Sequence, residues 1–142
     1  MRFGYTPYGG NWPPLIPVAF ANGAKRLPPV RALVDTGATH TLLPLDVASE
    51  LGIRIDINDR LESQVAGGAH CFIYPSPVPV HYHLRDPAGE SACRWRGQVF
   101  FVLEQEFVLL GHHQCLEKFD VTFHGPEKQV QLRPRFRTAS AE

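Results

Sequence analysis

The run Val30-Arg31-Ala32-Leu33-Val34, followed at once by Asp35-Thr36-Gly37-Ala38, constrains this chain more than any other stretch. Its residues are β-branched or apolar enough to predict a strand that runs into a core. Thr36 and Gly37 then turn the chain sharply, because Gly tolerates conformations and close approaches that a side chain blocks. A carboxylate therefore stands at the end of a buried strand with no flexible loop beneath it. An ordinary β-turn, with the Asp bonding its own backbone, has the same local signature. The wider pattern of the chain decides between the two.

Phe107-Val108-Leu109-Leu110-Gly111 is a second apolar strand ending in Gly, and a helix-like segment follows it from His112 to Phe119. Between the two lies a candidate hairpin, Gln64-Val65-Ala66-Gly67-Gly68-Ala69-His70. Elsewhere the chain is punctuated by thirteen prolines and twelve glycines, which favours short strands over long helices. Leu15 to Phe20 reads as a strand, Asn22-Gly23 heads a hairpin turn, and Val30 to Val34 is the partner strand. Pro44 to Leu51 reads as a short helix, with Pro in its first turn and Gly52 past its end. Ile53 to Ile57 is short and extended. Val78 to Leu84 alternates strictly, as a half-buried strand does. Trp95 to Leu103 reads as one strand. Phe119 to Phe123 and Gln129 to Leu132 form a hairpin around Gly125-Pro126. Residues 1–12 read as an irregular arm and Arg133 to Glu142 as a solvated tail. The expectation is one all-β domain over 1–142, with its core from about 15 to 132 and one or two short helices.

In that order, the strand into Asp-Thr-Gly-Ala, the glycine hairpin and the apolar-apolar-Gly before a helix resemble the retropepsin family of aspartic proteases. The resemblance runs from about Leu15 to Leu132. It implies a compact, closed acid-protease β-barrel and an aspartic endopeptidase that hydrolyses peptide bonds with carboxylate-activated water. Only Asp35 is followed by Thr-Gly or Ser-Gly. The resemblance therefore implies a homodimer in which Asp35 and its symmetry mate face each other, acting on an extended peptide or protein substrate. Thr36 would cross-bond to the partner's backbone, Gly37 would offer its N–H to the carboxylate, and Ala38 would complete the active-site loop. Leu109, Leu110 and Gly111 would pack beneath that loop. Ala66, Gly67 and Gly68 would form a flap tip over the substrate. Viral members commonly carry acidic residues just after Asp-Thr-Gly-Ala and an Arg after the downstream Gly. Here those places hold Thr39-His40-Thr41 and His112-His113. The bracing ion pair is missing, which makes the chain closer to cellular and bacterial members.

The remaining features narrow the function. Fourteen basic and fourteen acidic side chains give zero formal net charge, which argues against nucleic-acid or membrane-surface binding. The apolar runs are too short to span a bilayer, and the first residues contain no apolar leader segment. Three cysteines without framework spacing point to the reducing cytoplasm. No Cys-x-x-Cys or His-x-x-x-His spacing appears among the seven histidines, so no metal or other cofactor is expected; His81 and His83 read as a solvated strand face. There is no Gly-x-x-x-x-Gly-Lys and no Gly-x-Ser-x-Gly. The competing reading is a non-catalytic dimerisation or peptide-binding module that keeps the fold, with Asp35 as a turn residue.

Overall fold

Alternation of apolar and polar side chains sets the strands. In the computed structural model, residues 1–64, 70–103, 105–106 and 108–137 are described. Among them the chain runs β1 (Arg2–Gly4), β2 (Leu15–Asn22), β3 (Lys25–Arg26), β4 (Val30–Val34), β5 (Leu42–Pro44), α1 (Leu45–Glu50), β6 (Leu61–Gln64) and β7 (His70–Pro75). It continues through β8 (Val80–Arg85), β9 (Ala92–Gly97), β10 (Phe100–Val102), β11 (Val108–Leu110), a single 3-10 turn (Leu116–Lys118), β12 (Phe119–His124) and β13 (Gln129–Pro134). In β8, Val80, Tyr82 and Leu84 are buried while His81, His83 and Arg85 face outward, as the period of two requires. Helix α1 is capped by Pro44 before it and Leu51 after it, and Gly52 takes a φ of 66° to leave the helix.

One large sheet has the order β6-β7-β10-β5-β11-β4-β2-β8-β9, with β3 paired to β2. A smaller sheet has the order β1-β13-β12. Pairing is antiparallel except for β10 with β5 and β11 with β4. The core between the layers is rich in aromatic rings. Tyr82 stacks on Trp95 at 4.8 Å, Trp95 meets Phe119 edge-on at 5.2 Å, and Phe136 closes the group against both. Their polar ends are satisfied: the Tyr82 hydroxyl donates to Gln98 O at 2.8 Å and Trp95 Nε1 to Gln114 O at 2.9 Å.

The expected all-β architecture is present, with one short helix and one 3-10 turn among the described residues. Closure into a hydrogen-bonded barrel is not: among the described residues, the outermost strands β6 and β9 do not pair. The β9 end is instead covered by Gln114, whose carbonyl and side chain take the Trp95 and Gln98 donors. A Cβ on Gly97 would lie 2.8 Å from Gln114 O, so this cover sits directly on the strand. The N-terminal arm is also more regular than expected. Arg2 to Gly4 pair with β13, Phe3 is buried in the core, and the Met1 amine donates to Leu132 O at 3.0 Å. The expected solvated tail is structured through Phe136, since β13 continues to Pro134 and the Arg135 N–H donates to Lys118 O. Trp95 to Leu103 divides into β9 and β10, because Gln98 turns its own amide toward Ser76 O and Val99 O. Residues 53–57 form no strand.

Candidate active site

Strands β4 and β5, which flank the Asp35 turn, both pair with β11. Parallel pairing sets Val108, Leu109 and Leu110 beside Ala32, Leu33 and Val34, while Leu109 lies antiparallel to Leu42. The turn from Asp35 to Thr41 therefore straddles the end of one central strand. Its backbone is fastened on both sides. Asp35 N–H donates to Leu110 O at 3.1 Å, His112 N–H to Ala38 O at 3.0 Å and His113 N–H to Thr39 O at 2.8 Å. The Gly111 N–H donates to the buried Thr41 Oγ1 at 3.2 Å.

Gly111 lies hard against the turn. A Cβ at that position would fall 2.4 Å from His40 O and 2.5 Å from His40 C, distances that no side chain can occupy. Gly37 is required for closeness, not for unusual torsion: its φ is not positive, and its N–H donates to Asp35 Oδ1 at 2.9 Å. A Cβ there would press on that same oxygen at 3.3 Å. Asp35 is half-buried, whereas Thr36 and Gly37 at the tip are exposed.

Asp35, Gly37 and Ala38 form one wall of a cleft of about 760 Å³, with Leu109 among its lining residues. The opposite wall includes Glu62, Ser63 and Gln64 of β6. Beyond Gln64 the hairpin carries Ala66, Gly67 and Gly68, which lie outside the described residues. At its base, His70 and Glu62 pair at 3.0 Å on the surface.

Two histidines at the site were not given roles from sequence. His112 Nε2 meets the Thr36 carbonyl oxygen at 2.6 Å. His40 packs its ring on Phe100 at 4.3 Å and meets His113 edge-on at 6.0 Å. Burial, then the neighbouring His113, hold the His40 imidazole below its ordinary range. Its Nδ1 is buried with no hydrogen-bond partner among the described residues. The sequence signal was their position, at the places where the resemblance expected charged residues.

Among the described residues no cysteine lines the Asp35 cleft. Cys71, Cys93 and Cys115 are free, and burial pushes the Cys93 thiol up to about 11 and the Cys115 thiol up to about 12. Thiols held so high supply no thiolate near neutral pH. What the arrangement offers is a carboxylate on a rigid loop, half-buried at the lip of an open cleft.

A model of the aspartyl protease family matches residues 16–79, the segment from β2 through β7 that contains the Asp35 loop. Over that segment the chain matches the aspartyl protease family, and its fold is retropepsin-like. Among solved structures it is similar to the EIAV protease determined with an inhibitor, at 17% identity and a TM-score of 0.50. That match covers 75% of this chain and 88% of the viral one, and it supports the retropepsin-like fold. The retroviral protease-like domain of Ddi1 from Leishmania major is also similar, at 17% identity and a TM-score of 0.47, over 86% of this chain and 96% of that one. No curated protein matches the chain at a significant level.

Proposed function

We propose that this retropepsin-like protein is an aspartic endopeptidase that works as a homodimer, with Asp35 of each copy forming the catalytic dyad. The observation that carries the reading is the single Asp-Thr-Gly carboxylate on a rigid loop whose tip, Thr36-Gly37, is exposed beside an open cleft. Two carboxyls held a few ångströms apart cannot both ionise, so one stays protonated; this is the arrangement of aspartic proteases in general. The ionised carboxylate takes a proton from water while the protonated one donates to the scissile carbonyl oxygen. Water oxygen bonds to the carbonyl carbon, and the C–N bond then breaks with a proton delivered to the leaving nitrogen.

The surroundings supply positioning. The His112 contact fixes the Thr36 backbone, and the Thr36 hydroxyl is proposed to bond to the second copy. Strand β6 is an outer strand of the sheet, so an extended peptide can lie between it and the Asp loops as an added strand. Ala66, Gly67 and Gly68 are proposed to close over it. Free thiols at all three cysteines suit a reducing, cytoplasmic setting.

The test is an unbiased peptide library presented to wild type and Asp35→Asn in parallel. The Asn side chain keeps the shape of the turn, so the variant should fold and dimerise normally and cleave nothing. Pepstatin should bind wild type and not the variant. Comparable cleavage by Asp35→Asn would end this reading and leave the non-catalytic module in its place.

A further inference from the structure

A second concavity, of about 620 Å³, lies on the outward face of β2, β8 and β9 and shares no lining residue with the Asp35 cleft. Strand periodicity turns His81, His83 and Arg85 to this side. The register sets His83 between Ala19 of β2 and Arg94 of β9, and His81 between Ala21 and Arg96. The β2 positions are alanines, so the floor is low and the space above it stays open. Arg26 adds a third guanidinium from β3, and Pro17, Leu27 and Pro29 supply an apolar wall.

The charges in this concavity are unbalanced. Among the described residues, none of Arg26, Arg85 and Arg94 forms an ion pair, whereas Asp120 elsewhere serves both Arg133 and Arg135. The acidic residue of the lining is Asp86, and its Oδ1 already accepts the Ala88 N–H at 3.0 Å. Burial, reinforced by the neighbouring arginines, holds the His81 and His83 imidazoles below their ordinary range, so both favour the neutral form. Three arginines against one aspartate leave two uncompensated positive charges in the lining. Arg85 and Arg94 are diagonal neighbours on β8 and β9, where like charges oppose folding, and Asp86 is the one acidic side chain in the lining to offset them. Guanidinium forks match phosphate oxygens in geometry, and the volume falls within the range of small-ligand sites, roughly 300–1,000 Å³.

We propose that this concavity is a second, non-catalytic site that binds a small organic phosphate monoester, with its dianionic head on Arg26, Arg85 and Arg94 and its apolar body against Pro17, Leu27 and Pro29. The site stands independently of the proteolytic reading, because it uses none of the same residues.

Phenyl phosphate is the probe, with inorganic phosphate and phenol as its two halves, titrated into the full chain by calorimetry and by NMR of the histidine side chains. Phenyl phosphate should saturate one site per chain and bind at least tenfold more tightly than either half, on the order of what adding an apolar contact of one ring contributes. The His81 and His83 resonances should move with the same midpoint while His112 stays still. Arg85 and Arg94 are exposed, so Arg85→Gln and Arg94→Gln leave the fold intact, and each should weaken binding by roughly tenfold, as loss of one charge-assisted contact does. Absence of saturable binding would overturn the proposal. So would inorganic phosphate binding as tightly as phenyl phosphate, or undiminished binding in the double variant.

Discussion

Gly111→Ala isolates the contact that shapes the Asp35 loop. The added methyl carbon would sit 2.4 Å from His40 O, 2.5 Å from His40 C and 2.9 Å from His40 N, against an ordinary contact of 3.4 Å or more. The obstruction is backbone, so no rotamer change relieves it, and the loop and β11 must separate by about 1 Å. Overpacking of this kind costs about 1–3 kcal/mol, and loosening the Gly111–Thr41 and His112–Ala38 hydrogen bonds adds about 1 kcal/mol each. A total of about 3 kcal/mol or more corresponds to a melting temperature lower by roughly 10 °C for a domain of this size. Activity should fall further than stability at temperatures where the variant is still folded, since a displacement of about 1 Å at a reacting group can cost about 100-fold in rate. Gly125→Ala is the matched control, because a Cβ there meets nothing within 4 Å. Thermal unfolding followed by circular dichroism, with peptide hydrolysis measured well below the transition, reads both effects. A Gly111→Ala protein that melts within a degree or two of wild type and cleaves normally would refute the argument that this contact sets the loop.

Three more expectations follow from the same site. Specific activity should fall on dilution and respond little to salt, because the contacts proposed to hold the dimer are hydrogen bonds and apolar packing; full hydrolysis at concentrations where sedimentation shows a monomer would defeat the shared dyad. Thr36→Ala should weaken dimerisation and activity together, and a variant that dimerises normally would remove the cross-bond from the account. His40, with His81 and His83, favours the neutral form in the folded chain, while the unfolded chain takes up protons near pH ~6.5. The stability they contribute is present above that pH and is lost as pH falls toward their lowered folded-state values. The melting temperature should decline between about pH 7 and 5, less steeply in His40→Gln, and a flat profile in wild type would contradict it.

The parts of the fold that announced themselves in the sequence are those governed by local pattern. Val30 to Val34 and the alternation of β8 were readable because burial on one face dictates residue type every second position. Pro44 and Gly52 marked the ends of α1 through their own backbone preferences. Strand β1 was hidden because three residues are too few to show a period, and what holds Arg2 to Gly4 is a partner at the far end of the chain. The break between β9 and β10 was hidden for a similar reason: besides its neighbour Val99, Gln98 is held by Ser76 and Gln114, which lie far from it in the sequence. At the site, Asp35 and Gly37 were visible from type and spacing. The His112 contact with Thr36 O was not, because an imidazole after a glycine carries no local sign of what it will touch.

The placement of β11 between β4 and β5 also has a kinetic consequence. Those two strands are neighbours along the chain, yet the strand that separates and joins them is made only after the whole of β6 through β10. Closing such long loops before any pairing is gained slows folding. A chain that has reached only residue 79 contains the entire segment that matches the aspartyl protease family model, and it still lacks Leu110 O, Gly111, His112 and His113. During synthesis, then, the carboxylate is made early and its loop takes shape last, so the braced Asp35 turn belongs to the nearly finished chain and not to a truncated one.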